Sequence, residues 1–154
     1  MNPGLKEWVW LANLQGIITR KKIELLRIFE SPRTIYDADE IALAQTGILT
    51  RDNIASITSE EAKDNANRVM EELAENNIDV VTLEDDNYPY LLKNICDPPV
   101  CLYVKGEILA EEPIIAVVGS RKASGYGLAS AKKISAELSA DNICVISGMA
   151  RGID

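Results

Sequence analysis

Two short stretches of this chain concentrate the residue types that hold an anion. The first is Gly119-Ser120-Arg121-Lys122-Ala123-Ser124-Gly125-Tyr126-Gly127, and the second is Ser147-Gly148-Met149-Ala150-Arg151-Gly152. Glycines let the backbone turn sharply and bring N–H groups close to a negative charge. Serine hydroxyls add donors, and arginine adds a planar fork that matches two phosphate oxygens. The first stretch contributes Gly119, Ser120, Arg121, Lys122 and Ser124 to a candidate phosphate site, and the second contributes Ser147, Gly148, Arg151 and Gly152. Tyr126 adds an aromatic ring beside them. Neither stretch fits a nucleotide-cofactor loop. Five residues separate Gly119 from Gly125, and Tyr126 stands where G-x-x-x-x-G-K-[ST] requires lysine. Gly119-Ser120-Arg121 lacks the second glycine of G-x-G-x-x-G. Neither ATP hydrolysis nor NAD chemistry is supported, and no cofactor is expected.

The elements that must position these turns follow from the apolar pattern. Ile114–Val118 is a bare apolar run, as for a strand buried on both faces. A helix is expected from Ser124 to Ala140, with Leu128, Ala131, Ile134 or Ser135, and Leu138 inward. Ile143–Ile146 is a second apolar strand, so strand, helix and strand form one βαβ unit with parallel neighbours. Both turns then leave the carboxyl ends of adjacent strands, where ligands bind in open α/β sheets. Further upstream, Ile78–Leu83 and Val100–Val104 read as strands, separated by the rigid Asp97-Pro98-Pro99 break. Two parallel strands do not complete a doubly wound sheet, so the chain is expected to be truncated.

Residues 1–76 read as short helices. Leu5, Trp8, Val9 and Ala12 share one face, as do Lys22, Leu25, Leu26 and Phe29. Thr19 and Thr50 are candidate caps, Ser31-Pro32 is a cap followed by proline at the first helical position, and Thr58 with Glu61 forms a capping box. Gly16-Ile17-Ile18-Thr19-Arg20 is echoed by Gly47-Ile48-Leu49-Thr50-Arg51. Such a glycine turn presents N–H groups to phosphate in helix-hairpin-helix modules, with Arg20, Lys21 and Lys22 at hand. A packing role for both turns is favoured, because a short glycine turn is a weak motif. Trp8 and Trp10 offer a third possibility, a partner-docking face.

Composition narrows the chemistry. The chain has no histidine, which removes Ser-His-Asp and Cys-His catalysis and most zinc sites. No catalytic or metal-binding residue is expected. Cys96, Cys101 and Cys144 form no C-x-x-C pair and read as reduced, partly buried thiols. The formal charge of −8 weighs against nucleic acid as a partner. Its distribution weighs less, since Asp52–Asn87 holds eleven acidic and two basic residues, while Gly119–Asp154 holds five basic and three acidic ones. The start, Met1-Asn2-Pro3-Gly4, does not read as a signal peptide, and no run approaches the roughly 18 apolar residues of a membrane span. A cytoplasmic location is expected.

The pair of turns, with the trailing Ile153-Asp154, resembles the signature of the DprA/Smf family of DNA-processing proteins. Tyr88-Pro89, Leu91, Asp97-Pro98-Pro99 and Leu102-Tyr103-Val104-Lys105-Gly106 are similar to the stretch that precedes it there. The resemblance implies an α/β protein with a small helical domain, sterile-alpha-motif-like or helix-hairpin-helix-like, over residues 1–76. Residues 77–154 would then be the first, incomplete part of a Rossmann-like parallel sheet. It further implies single-stranded DNA as the partner, without catalysis, and loading of the recombinase RecA during natural transformation. Arg121 would be the main phosphate contact, with Gly119, Ser120, Ser147, Gly148 and Arg151 around it. RecA binding and the family's homodimer would need a later segment. The rival reading is a nucleotide phosphoribohydrolase of the lysine-decarboxylase-like family, which uses a similar strand and Gly-Ser turn.

Overall fold

A computed structural model describes residues 4–108 and 113–154. Met1-Asn2-Pro3, at the start read above, lies outside the described residues. The fold mixes helices with two short sheets, and the chain divides into two compact units, residues 1–108 and 109–154. Composition changes character near residue 76, yet the first unit keeps the next two strands with its helices.

Six helices build most of the first unit: α1 (Leu5–Asn13), α2 (Thr19–Phe29), α3 (Pro32–Tyr36), α4 (Glu40–Gln45), α5 (Arg51–Thr58) and α6 (Glu60–Glu75). Helix α1 is its axis. Trp8, Val9, Trp10 and Leu11 are all buried, because α6, α3, α2 and a two-stranded sheet surround the helix. A helix enclosed on several sides buries more than one face, so Trp10 and Leu11 join the expected set. The two tryptophans therefore form no docking face. Trp10 meets Tyr36 edge-on, with ring centroids 5.0 Å apart.

The expected caps hold with two exceptions. The Ser31 hydroxyl accepts from the Thr34 N–H, with Pro32 opening α3. Thr50 and Asn53 form a reciprocal capping box on α5. Thr19, however, is already helical and Ile18 occupies the cap position. Thr58 ends α5, its hydroxyl donating to the Ile54 carbonyl, and Ser59 caps α6 in its place.

The glycine echo turns out to be a packing device. Gly16 and Gly47 both adopt left-handed backbone, at φ 71° and 70°, and Asn53, two residues beyond the second copy, holds the turn of the first. Its Nδ2 donates to the Gly16 carbonyl at 3.0 Å, and its Oδ1 accepts from Lys21 Nζ at 3.0 Å. Lys22 is buried and its Nζ donates to the Ala12 carbonyl at 2.6 Å, while Arg20 pairs with Glu24 at 3.6 Å. All three cations of this turn have protein partners.

Strands β1 (Asp79–Thr82) and β2 (Cys101–Val104) pair antiparallel, Asp79 opposite Val104 and Thr82 opposite Cys101. They form a sheet of their own rather than extending the parallel one. Between them lies the one-turn helix α7 (Tyr90–Lys93), and the Tyr88 hydroxyl braces the connection by donating to the Pro99 carbonyl at 2.8 Å.

In the second unit, β3 (Ile114–Ala116), α8 (Gly125–Ala140) and β4 (Cys144–Ile146) make the expected parallel βαβ unit, with Ile114, Ile115 and Ala116 opposite Cys144, Val145 and Ile146. Burial on both strand faces does not follow. Ile115 is 39% exposed and Ile146 47%. Two strands are too narrow to cover more than one seam of α8, which carries Ala131, Ser135 and Leu138, whereas Leu128 and Ile134 face water. Cys96 is exposed and Cys101 and Cys144 partly buried, all as free thiols. Among the described residues no helix is long and apolar enough to cross a membrane, and no group of potential metal ligands is found.

Two outcomes test this unit. Asn53→Ala orphans the Gly16 carbonyl and should lower stability by about 1–3 kcal/mol in urea unfolding. Burial also pulls the Lys22 ammonium down from 10.5 to about 8. Between those values the unfolded chain holds more protons than the folded one, so this lysine's contribution to stability rises with pH. Burial pushes the Cys101 thiol from 9.0 up to about 12, and its contribution falls over that window. Subtracting the urea stability of Lys22→Met from that of the parent chain isolates the lysine. The difference should grow in the parent's favour from pH 7.5 to 9.5; a flat difference would mean that Lys22 is solvated.

Candidate functional site

Both turns leave the carboxyl ends of β3 and β4 and lie side by side. Ile153 N–H donates to the Ser120 carbonyl at 3.3 Å, which stitches the chain after the second turn to the first. Gly152 sits against Ser120 and Arg121 at φ 108°, and a β-carbon there would strike the Ser120 carbonyl and approach Arg121 Cα. The backbone of Arg121 thus abuts the residue that follows Arg151. The two expected arginines stand at one edge of the ladder, on neighbouring turns.

The glycine amides have an internal partner. Asp154 accepts from the Gly119 N–H through Oδ1 at 3.1 Å and from the Gly148 N–H through Oδ2 at 3.2 Å. Ser147 Oγ donates to the Asp154 carbonyl at 3.2 Å. One carboxylate therefore spans both turns, on the N–H groups that sequence reasoning aimed at a phosphate. The turns are shaped for an anion and carry one of their own.

The remaining donors divide in the same way. Ser120 Oγ accepts from the Lys122 N–H, Ser147 Oγ from the Met149 N–H and Ser124 Oγ from the Gly127 N–H. These bonds fix the hydroxyl oxygens, and the Ser120 and Ser124 hydroxyl protons stay available to a ligand. Ser124 caps α8, whose positive end lies behind the first turn. Arg121, Lys122 and Arg151 are exposed, and among the described residues none has a carboxylate within ion-pair distance. Tyr126 is 84% exposed, so its ring is not packed beside the helix start.

Sequence reasoning missed Ile153 and Asp154 as site residues. A β-carbon on Gly119 would lie 2.7 Å from Ile153 Cβ, and one on Gly127 3.3 Å from Ile153 Cδ1. These two glycines make room for the isoleucine rather than for a ligand. The available signal was an apolar–acidic pair following a glycine turn, two features that close a turn rather than open a site.

The comparisons bear on this arrangement. A family model described as DNA recombination-mediator protein A matches residues 79–154, from β1 through both turns. Protein Smf of Synechocystis sp. is 28% identical over 152 residues, covering 96% of this chain and 38% of that protein.

Residues 79–154 of this chain thus match the DNA recombination-mediator protein A family, and relatives named DprA and Smf are similar to it.

The DNA processing protein DprA of Bacillus subtilis is 33% identical over 89 residues, 56% of this chain and 30% of that protein. Its counterpart in Streptococcus pneumoniae is 44% identical over 71 residues, 46% and 25% of the two chains. The chain spans between a quarter and two fifths of the length of these DprA/Smf relatives.

Removing the carboxylate tests the clamp. Asp154→Ala should speed hydrogen exchange at the Gly119 and Gly148 amides and cost about 1 kcal/mol locally. Gly152→Ala, forced into left-handed backbone, should cost at least about 1–2 kcal/mol and part the turns. Unaltered amide exchange in Asp154→Ala would show the turns to be held by other means.

Proposed function

We propose that this chain binds single-stranded DNA through its sugar-phosphate backbone, without reading sequence and without catalysis. The observation that carries the reading is the side-by-side placement of two donor-rich turns, with the unpaired cations Arg121, Lys122 and Arg151 facing water. Gly119, Gly148 and Ser147 serve by holding the clamp, and Gly152 by allowing the close approach. Ser120 and Ser124 supply hydroxyl donors, and Tyr126 supplies a face on which a base stacks. Few cations are present, so binding should be weak and fall steeply with salt.

On this reading β3–α8–β4 is the opening of a Rossmann-like sheet in a domain that starts near residue 77, and residues 1–76 form a sterile-alpha-motif-like helical domain. In the whole protein the bound strand would be passed to a RecA-type recombinase during DNA uptake, in the cytoplasm, by a homodimer.

Fluorescent oligonucleotide binding at low salt tests the assignment. Arg121→Ala should abolish most binding, Tyr126→Ala should cost about 1–3 kcal/mol, and Arg20→Ala should change little. No base should be released from AMP or cytokinin-type nucleotides. Equal losses from Arg20→Ala and Arg121→Ala, or turnover of a nucleotide, would defeat the reading.

A further inference from the structure

The first unit contains a cleft of about 350 Å³ between α2 and the segment around α7. Arg20, Arg27 and Lys93 line it together with the apolar Ile23, Leu83 and Ile95. Arg20 and Arg27 lie seven residues apart, two helical turns, so both project on the same face of α2 about 10 Å apart. Glu24 lies between them and pairs with Arg20 at 3.6 Å. That exposed pair contributes little. Arg27 and Lys93 have no ion-pair partner among the described residues. This is a locally cationic cleft in a unit whose eleven basic and nineteen acidic residues sum to −8.

We propose that this cleft docks a short acidic peptide segment of a partner protein, one that carries apolar side chains among its carboxylates. The charge pattern and the lining chemistry together select that occupant. Apolar and cationic lining side by side suits a peptide-docking site, where aliphatic contact supplies affinity and the charges supply orientation. Ile95 is 49% exposed, so its apolar surface is open to a partner. A nucleic-acid strand fits less well. None of the cleft's lining residues is aromatic, and no glycine turn directs N–H groups into it. The field of a strongly acidic unit also opposes a polyanion along its whole length, whereas a short peptide sets a few carboxylates against the cations. This inference is independent of the DNA site at the turns of the second unit.

Cys96 lines the cleft and is exposed, which supplies a reporter thiol. The probe is a fluorescein-labelled decapeptide of alternating glutamate and leucine, and its control carries lysine in place of glutamate. The 154-residue chain should bind the acidic peptide saturably at low salt and the lysine peptide not at all. Arg27→Glu combined with Lys93→Glu should weaken binding about tenfold or more. Both positions are exposed, and circular dichroism confirms that the variant folds. The acidic peptide should slow alkylation of Cys96, with Cys96→Ser as the blank, and Arg121→Ala should leave peptide binding unchanged. Peptide binding indifferent to the double charge reversal would overturn the proposal. So would protection of Cys96 by a single-stranded oligonucleotide or inorganic phosphate but not by the peptide, which would make the cleft a phosphate site.

Discussion

The second unit depends on one carboxylate shared by two turns. Backbone amides that converge at a sheet edge repel one another's dipoles unless something negative lies among them. Asp154 meets that requirement from within the chain, bonding the Gly119 and Gly148 amides together. The Ser120–Ile153 bond and the seat of Ile153 on Gly119 add a second lock. The turns are thus joined by contacts within the chain itself. On the proposed reading, a ligand arriving at Arg121 and Arg151 would meet a formed surface and spend little on ordering it. Binding energy would then depend on the exposed cations and on Tyr126, while the glycines act as structure.

The first unit is organised by enclosure. Helix α1 is surrounded, and the Asn53 amide ties the turn of one helical module to the helix of the next. The enclosure decides which cations remain at the surface. Lys22 is drawn inside and Lys21 is bound, so the glycine turn that looked able to hold a phosphate keeps only Arg20 at the surface, and Arg20 pairs with Glu24. The charge of the whole chain lies entirely in this unit. The second unit, with five basic and five acidic residues, is neutral. The overall acidity is therefore a poor guide to the field at the turns.

Much of this was legible in the residues, and the losses have physical causes. Local chemistry read well: Ser31-Pro32, Thr50, the parallel βαβ pairing and the extent of α8 all depend on near neighbours along the chain. Long-range enclosure did not. Nothing in the spacing of Trp8 and Trp10 reveals that both sides of α1 are covered, or that β1 and β2 pair with each other and stay with the helices. Strand burial was overestimated because an apolar run reports what a strand tolerates, and not how many neighbours cover it. At the candidate site, the arginines were singled out by residue type. The clamp was missed because an aspartate at the edge of a basic site reads as charge balance until its two bonds are seen.

The enclosure of α1 also has a spectroscopic consequence. The chain's two tryptophans, Trp8 and Trp10, both lie in the core of the first unit, and residues 109–154 contain none. Indole emission is accordingly a reporter on the helical unit alone. A melting curve followed by that signal records the loss of α1 from its surroundings and is blind to opening of the paired turns. The second unit has Tyr126 as its sole intrinsic chromophore of this kind, so its unfolding needs a label or a backbone signal to be seen.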